Sequence, residues 1–422
     1  MQTHPISFQS LGLIPSLCQQ LDTLGFNQPT AVQQHSIAPM LAGADIRVRA
    51  NTGSGKTAAF GLPLLQLLSG RAANARGNQV RALVLLPSRE LAQQVGADLH
   101  RYGAQLNRPL KIVTLFGGVS LNPQMLALRG GADIVVATPG RLLDLLGKNA
   151  LKLAQLEYLV LDEADKLLGL GFSDELNALF AQLPTRRQTA FFSATFGDTV
   201  AALADSLLNQ PVVIDLCQQT EPADIHQQVY EVEQPRKTQL LIKLLAQHQW
   251  PQVLVFANAK QTCNRLQQKL QRAGIRAEVF HGDKSQGNRS SVLDGFKQGR
   301  IKLLIATDIA ARGLDITGLP AVVNYELPRS PADYIHRIGR TGRAGASGEA
   351  FSLICPDEFH HFRVIEKKHK LRLPRQQFPG FEFTPEQSSV TASAKPVSQS
   401  KKVSKGCKPD NKTVPSVKNQ QP

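Results

Sequence analysis

"IRVRANTGSGKTAAF", residues 46–60, places a short β-branched run before a loop with two glycines and follows it with helix-forming residues. The stretch reads as strand, loop and helix. Gly53 and Gly55 let backbone N–H groups come close to phosphate oxygens, because neither carries a side chain to block the approach. Lys56 can reach the β and γ oxygens, and the Thr57 hydroxyl can ligate Mg²⁺. Ala50 stands where such a loop usually has its first glycine. Nucleotide binding at the end of a strand is the expectation.

The alternation continues on both sides of this stretch. "RALVLLPSRELAQQVGADLHRY" and "ADIVVATPGRLLDLLG" each read as strand then helix, and "EYLVLDEADKLL" and "QTAFFSAT" supply more strands. The pattern breaks near Cys217 to Asp224 and restarts with "QVLVFANAKQTCNRLQQKLQRAG", "IKLLIATDIAARGLD" and "AVVNYELPRSPADYIHRIG". Nearly continuous apolar strands between helices imply parallel sheets covered on both faces. A chain of 422 residues also exceeds what one core normally supports. Two tandem α/β domains follow: 1–216 and 225–375, joined by a linker at 217–224. From about Gln376 the sequence fades into Ser, Lys, Gln and Pro, so 376–422 reads as a disordered, basic, low-complexity tail.

"LVLDEADKLLGLGF", 159–172, puts Asp162 and Glu163 side by side at a strand end, about a hundred residues after Lys56. Phosphoryl transfer needs a metal held and a water positioned, and one carboxylate does both poorly. Asp162 is therefore expected to hold Mg²⁺ through its water shell, and Glu163 to orient and deprotonate the attacking water. In "DYIHRIGRTGRAG", 333–345, Ser330 and Pro331 suit a helix start. His336, Arg340 and Arg343 then fall at i, i+4 and i+7, on one face if the turn persists through Gly339 and Gly342. Two readings stand for this face: arginine fingers reaching a γ-phosphate, or a basic helix touching a phosphate backbone.

Charge narrows the partner. The net charge is +15, and from Arg363 onward 13 Lys+Arg face four acids, which leaves +9 in the last 60 residues. Such a field attracts polyanions, chiefly nucleic acid, without regard to sequence. No apolar run approaches the ~20 residues that span a bilayer. "MQTHPISFQS" has neither the basic nor the apolar part of a secretory signal, and the five cysteines form no CxxC pair. A cytoplasmic protein without a membrane partner is expected.

The ordered set of motifs resembles the DEAD-box ATP-dependent RNA helicases, a family of superfamily 2, over about residues 8–360. "DEAD" is 162–165, "PSREL" 87–91 (Ser88 where the family usually has Thr), "TPGR" 138–141 and "SAT" 193–195. "HGDKSQGNR" is 281–289, "ATDIAARGLD" 306–315 and "HRIGRTGR" 336–343. The stretch 365–382 is also similar to the end of the bacterial RNA-helicase-E-like subgroup. The resemblance implies two RecA-like domains and an enzyme that uses ATP and Mg²⁺.

By the same resemblance, "GFNQPTAVQ", 25–33, is a Q motif, with Phe8 upstream. Gln33 would read the Hoogsteen edge of adenine and Phe26 would stack on the ring. Ser54, Gly313 and Asp315 would join Gly53, Gly55, Lys56 and Thr57 around the nucleotide, with Arg312 beside them. Arg340 and Arg343 would be the fingers, while Ser193, Thr195 and His336 would couple the ATP and RNA sites. RNA would be held by Pro87, Arg89, Gly118, Thr138, Gly140 and Arg141 in the first domain. Gly282, Gln286, Arg289 and Thr307 would hold it in the second. The function implied is RNA-stimulated ATP hydrolysis with local unwinding of short duplexes, independent of sequence. The same residues would serve an ATP-gated RNA clamp or scaffold, or a general nucleic-acid translocase. Single-stranded and structured RNA are the expected partners, ribosomal precursors or mRNA-decay assemblies the typical settings, and a monomer the expected state.

Overall fold

A computed structural model describes residues 6–51, 53–70, 77–216, 225–311, 316, 318–342 and 347–382. Gly313, Asp315 and Arg343 lie outside the described residues, as do the expected linker 217–224 and the chain from 383 onward.

The first sheet contains β1 (Ile46–Arg49), β2 (Val80–Leu85), β3 (Ile112–Leu115), β4 (Ala132–Ala137), β5 (Tyr158–Leu161), β6 (Gln188–Ser193) and β7 (Val212–Asp215). Its order is β3-β4-β2-β5-β6-β1-β7, with every pairing parallel. The second contains β8 (Ile225–Glu231), β9 (Val253–Phe256), β10 (Glu278–Phe280) and β11 (Leu303–Ala306). It is completed by β12 (Ala321–Asn324), β13 (Gly348–Ile354) and β14 (Arg375–Gln377). Its order, β10-β11-β9-β12-β13-β8-β14, is that of the first sheet with seven added to each strand number. One topology is thus used twice.

Both faces of each sheet are covered, and the strand pleat shows how. In β2, Ala82 and Val84 enter one core while Leu83 and Leu85 enter the opposite one. In β9, Val253 and Val255 are separated from Leu254 and Phe256 in the same way. A period of two divides an apolar strand between two layers, so every residue of β2, β4 and β5 is buried.

The expected start of the tail at Gln376 is corrected. Strand β14 runs through Gln377 and pairs with β8. Phe378 lies edge-on to Tyr230, with ring centroids 5.8 Å apart, and Phe381 is buried in the second core. The apolar anchors Phe378 and Phe381 carry the fold to Glu382, although the strand itself, "RQQ", has no apolar residue. Among the described residues, no helix is long and apolar enough to cross a membrane.

Candidate nucleotide site and interdomain cleft

In a parallel sheet, loops gather at the carboxyl ends of neighbouring strands. Strands β5, β6 and β1 are adjacent, so 162–165, 193–195, 50–51 and 53–57 meet. Strands β3, β4 and β2 are also adjacent, bringing together Gly118, Thr138 to Arg141, and Pro87 to Arg89. The edge of the first sheet therefore separates into a half with nucleotide motifs and a half with the residues expected to grasp RNA.

At the nucleotide half, Ala50 continues β1 and donates its N–H to the Ser193 carbonyl at 3.1 Å. The backbone does not take a positive φ there, so the missing glycine has no structural cost. Gly55 does need to be glycine: its φ is +94°, and a Cβ would lie 2.5 Å from Gln33 Nε2. Gln33 is buried, accepts from the Thr30 N–H at 2.9 Å and donates to the Gly55 carbonyl at 3.2 Å. Its amide therefore braces the loop. Lys56 is buried, with its ammonium on the Ala50 and Asn51 carbonyls at 3.0 Å each. Ser54 Oγ is buried with no hydrogen-bond partner. Phe26 sits half-buried, edge-on to Tyr102 at 5.9 Å. Phe8, expected at the nucleotide, is part of the first core at 5% exposure.

The two acids differ sharply in environment. Burial pushes the Asp162 carboxyl up to about 6; Lys56 opposes the rise and the neighbouring Glu163 adds to it. A buried carboxylate short of positive charge is suited to a cation. Burial also pushes Glu163 up, but Lys166, then Lys56 and Arg340, outweigh it and hold its carboxyl below the usual range. Glu163 Oε1 takes Lys166 Nζ at 2.7 Å, while Oε2 is buried with no hydrogen-bond partner. Its backbone is left-handed, φ 52° and ψ 46°, at the cap of the helix Ala164–Gly169. For a residue with a Cβ that conformation costs about 1–2 kcal/mol.

Asp165 accepts from Thr195 Oγ1 at 3.0 Å, and Ser193 Oγ donates to the Thr195 carbonyl at 2.7 Å. The ends of β5 and β6 are thereby linked. His336, from the second half, is half-buried near Lys166 and Asp165. Burial, with the charge of Lys166, lowers its imidazole to about 4, so it is neutral at pH 7. His336 and Arg340 thus lie close to the first half's acidic turn. The expected common helix face is corrected, however. The helix spans only Asp333–Ile338 and is capped at Gly339, so Arg340 projects from the turn beyond it.

At the RNA half, Arg89 lies against Gly118, where a Cβ would fall 1.9 Å from its Nη1. Thr138 is the cap of the helix Pro139–Gly147, and Gly140 in its first turn has open space beside it. Arg141 donates to the Val119 carbonyl at 2.9 Å, leaving buried Nε and Nη1 without hydrogen bonds. Across the cleft, Gly282 follows β10 beside Lys260, and Thr307 follows β11. The side chains of Gln286 and Arg289 have a protein partner instead of open space. Arg289 bonds Glu90 at 2.8 Å and Gln286 bonds Gln93 at 2.9 Å, both on the first half's helix Arg89–Tyr102.

Two residues escaped the sequence reading. Lys166 could have been found, since three residues beyond Glu163 on one helix is ion-pairing distance. Arg337 gave no such signal. It is 2% exposed and bonds Asp308 twice at 2.5 Å, Asn258 at 2.9 Å, Asn324 at 3.1 Å and the Glu326 carbonyl at 2.6 Å.

The two sheets, the phosphate loop and the acid pair facing an arginine from the second half define a two-domain nucleotide-dependent motor of the helicase type. The DEAD/DEAH box helicase family matches residues 30–203 and the helicase conserved C-terminal domain matches 236–345. An ATP-dependent RNA helicase, DbpA of Escherichia coli, is 42% identical over 374 residues, covering 88% of this chain and 80% of its own. The DEAD-box ATP-dependent RNA helicase CshA of Bacillus cereus is 39% identical over 374 residues, covering 88% and 70%. Among solved structures, Saccharomyces cerevisiae Dbp5 bound to RNA and ADP BeF3 has a TM-score of 0.76 at 30% identity, with 88% and 95% covered. Mss116p bound to ssRNA and AMP-PNP has a TM-score of 0.78 at 29% identity, with 92% and 82% covered. The chain belongs to the DEAD-box helicase family.

Proposed function

We propose that the protein hydrolyses ATP in the cleft between its two halves in response to RNA, and separates short duplexes locally without reading sequence. The observation that supports this most directly is at Glu163. One oxygen is pinned by Lys166, the other is buried and unpartnered, and Arg340 of the other half is close enough to help keep it ionised. A water placed on Oε2 would meet a base whose rotation is restricted, and a γ-phosphate beyond it would meet the guanidinium.

Asp162 and Thr57 would hold Mg²⁺, which supplies charge neutralisation at the phosphates when bound. The fit is to a shared ion. Among the described residues no group of three or more His, Cys, Asp or Glu side chains could hold a metal alone, so phosphate oxygens would complete the shell. Lys56 would leave the Ala50 and Asn51 carbonyls for the phosphates. Gln33 would exchange its loop contacts for adenine, and Gly313, Asp315 and Arg343 would complete the site from the second half. Since both halves contribute, hydrolysis requires closure, and ATP and RNA should each tighten the other's binding. Contacts from small residues and backbone along Gly118, Thr138 and Gly140 suit phosphates rather than base edges. Single-stranded and structured RNA would both be taken by the protein acting as a monomer in the cytoplasm.

The test compares ATP hydrolysis alone, with single-stranded RNA and with matched DNA, for wild type and Glu163→Gln. Stimulation by RNA only, reduced at least about 10²-fold in the variant while ATP still binds, is the expected outcome. Equal stimulation by DNA would point to a general translocase. Absence of hydrolysis with any polymer would leave an ATP-gated clamp.

A further inference from the structure

The helix Phe359–His369 has two faces of different character. Phe362 and Ile365 are fully buried beneath it. His361 and His369 bond the Pro328 and Pro331 carbonyls at 2.7 and 2.6 Å. Its one acid, Glu366, is consumed by Arg375 at 2.7 and 3.0 Å, and Arg375 in turn lies 4.6 Å over the Phe362 ring. The opposite face presents Arg363, Lys367 and Lys368, followed by Lys370 and Arg372, all exposed. Favourable interaction of the last turn with the helix dipole accounts for Lys367 and Lys368. It does not account for Arg363 in the middle or Arg372 beyond the end.

We infer that this face is a second RNA-binding surface, taking the phosphate backbone of structured RNA that flanks the strand held in the cleft. The inference rests on the RNA-directed reading above. Arg363 and Lys367 fall at i and i+4 on a helix whose buried side is locked in place, and Lys370 caps its end in the left-handed conformation, so three exposed cations follow one another along the helix and its cap. A row fixed in this way loses little freedom on meeting a backbone of regular charge. With Glu366 neutralised internally, no acid on the helix opposes the field.

The location is distinct from the cleft. Arg289 packs over Phe280 of β10, at one edge of the second sheet, whereas Phe362 and Ile365 beneath the helix pack with Ala350 and Ile354 of β13 and Val229 of β8 toward the other. Four to five strand spacings separate them, on the order of 19–24 Å. An RNA that fills only the cleft would not reach the row, and a longer one could occupy both. The chain past the described residues continues the same charge, with seven lysines against two acids from 383 to 422. Two weak sites on one ligand raise affinity without any change at either.

The experiment measures affinity, without nucleotide and across a salt series, for a short single strand and for the same strand joined to a hairpin. It uses the full chain, as wild type, as Arg363→Gln/Lys367→Gln/Lys370→Asn, and as the charge-preserving Lys367→Arg/Lys370→Arg. Wild type should bind the hairpin-bearing RNA roughly tenfold more tightly than the strand alone. The neutralised variant should lose that gain, its salt slope on the hairpin-bearing RNA falling by about two to three. It should keep wild-type affinity for the short strand, and the arginine variant should keep the gain. A gain that survives neutralisation, or no gain in wild type, would overturn the inference. ATPase stimulation by the short strand is read separately: its failure in all three proteins would count against the proposed function, while the affinity comparison would still decide the basic face.

Discussion

Glu163 and Gly55 show how much chemistry a single backbone position can hold. Both have positive φ, but for opposite reasons. Gly55 takes that conformation because nothing else fits against Gln33 and Thr30, whose side-chain atoms would lie 2.5 and 2.9 Å from a Cβ. Glu163 takes it despite its side chain, turning a carboxylate inward toward Lys166. The glycine need was legible in the sequence as a loop motif, and so was the acid pair. What could not be read was the internal use of Gln33, because the same amide that would read adenine here closes a capping box with Thr30. Gly55→Ala should therefore displace Gln33 as well as strain the loop. We expect ATP affinity to fall at least about tenfold, with thermal stability lowered by about 1–2 kcal/mol. Equilibrium titration with a fluorescent ATP analogue, beside a denaturant melt, checks both parts. Unchanged affinity would mean that the loop does not bind the nucleotide through this turn.

At the level of elements, central strands were legible and edge strands were not. Strands β2, β4, β5, β9 and β12 are buried on both faces and announce themselves as apolar runs. Strand β7 is mostly exposed, β8 reads "IHQQVYE", and β14 consists of polar residues only. Their pairing partners decide them, and a partner is not visible in a local stretch. The short helix Asp333–Ile338 ends before Arg340 for a related reason. Its register is fixed by Arg337, which joins groups at the ends of β9, β11 and β12 rather than facing the cleft with His336. Removing that guanidinium leaves the half-buried Asp308, with Asn258 and Asn324, without their shared partner. Arg337→Gln should destabilise the second half by about 3–5 kcal/mol, as loss of one partner of a buried pair does. Denaturant unfolding should show an early transition in the variant, and proteolysis should cut first after residue 225. A variant as stable as wild type would mean that Asn258, Asn324 and Asp308 satisfy one another without Arg337.

For the whole molecule, side-chain contacts join the two halves, and the closure proposed above would depend on them. Arg289 with Glu90 and Gln286 with Gln93 bridge one side of the cleft; His336 near Asp165 and Lys166 bridges the other. The bridges on the first side were invisible in sequence, since about two hundred residues separate Glu90 from Arg289 and no local pattern links them. His336 makes closure sensitive to pH, and the sign follows from its surroundings. In the closed form burial is the main cause that brings the imidazole to about 4, with Lys166 and Arg340 assisting and Asp165 and Asp333 opposing. In the open form, away from Lys166 and more hydrated, it should return toward its ordinary value near ~6.5. The open form then binds more protons between the two values. Closure is fully favoured above about pH 6.5 and weakens as pH falls toward 4. From pH 7 to 5 the loss should be roughly 1–2 kcal/mol, a five- to thirtyfold shift toward the open form. Energy transfer between dyes on the two halves, with a non-hydrolysable ATP analogue and RNA bound, should report this opening in wild type. In His336→Asn, which keeps a polar group but cannot titrate, the transfer should change much less with pH. Equal responses in the two proteins would assign the pH dependence to the acids around Asp162 instead of to His336.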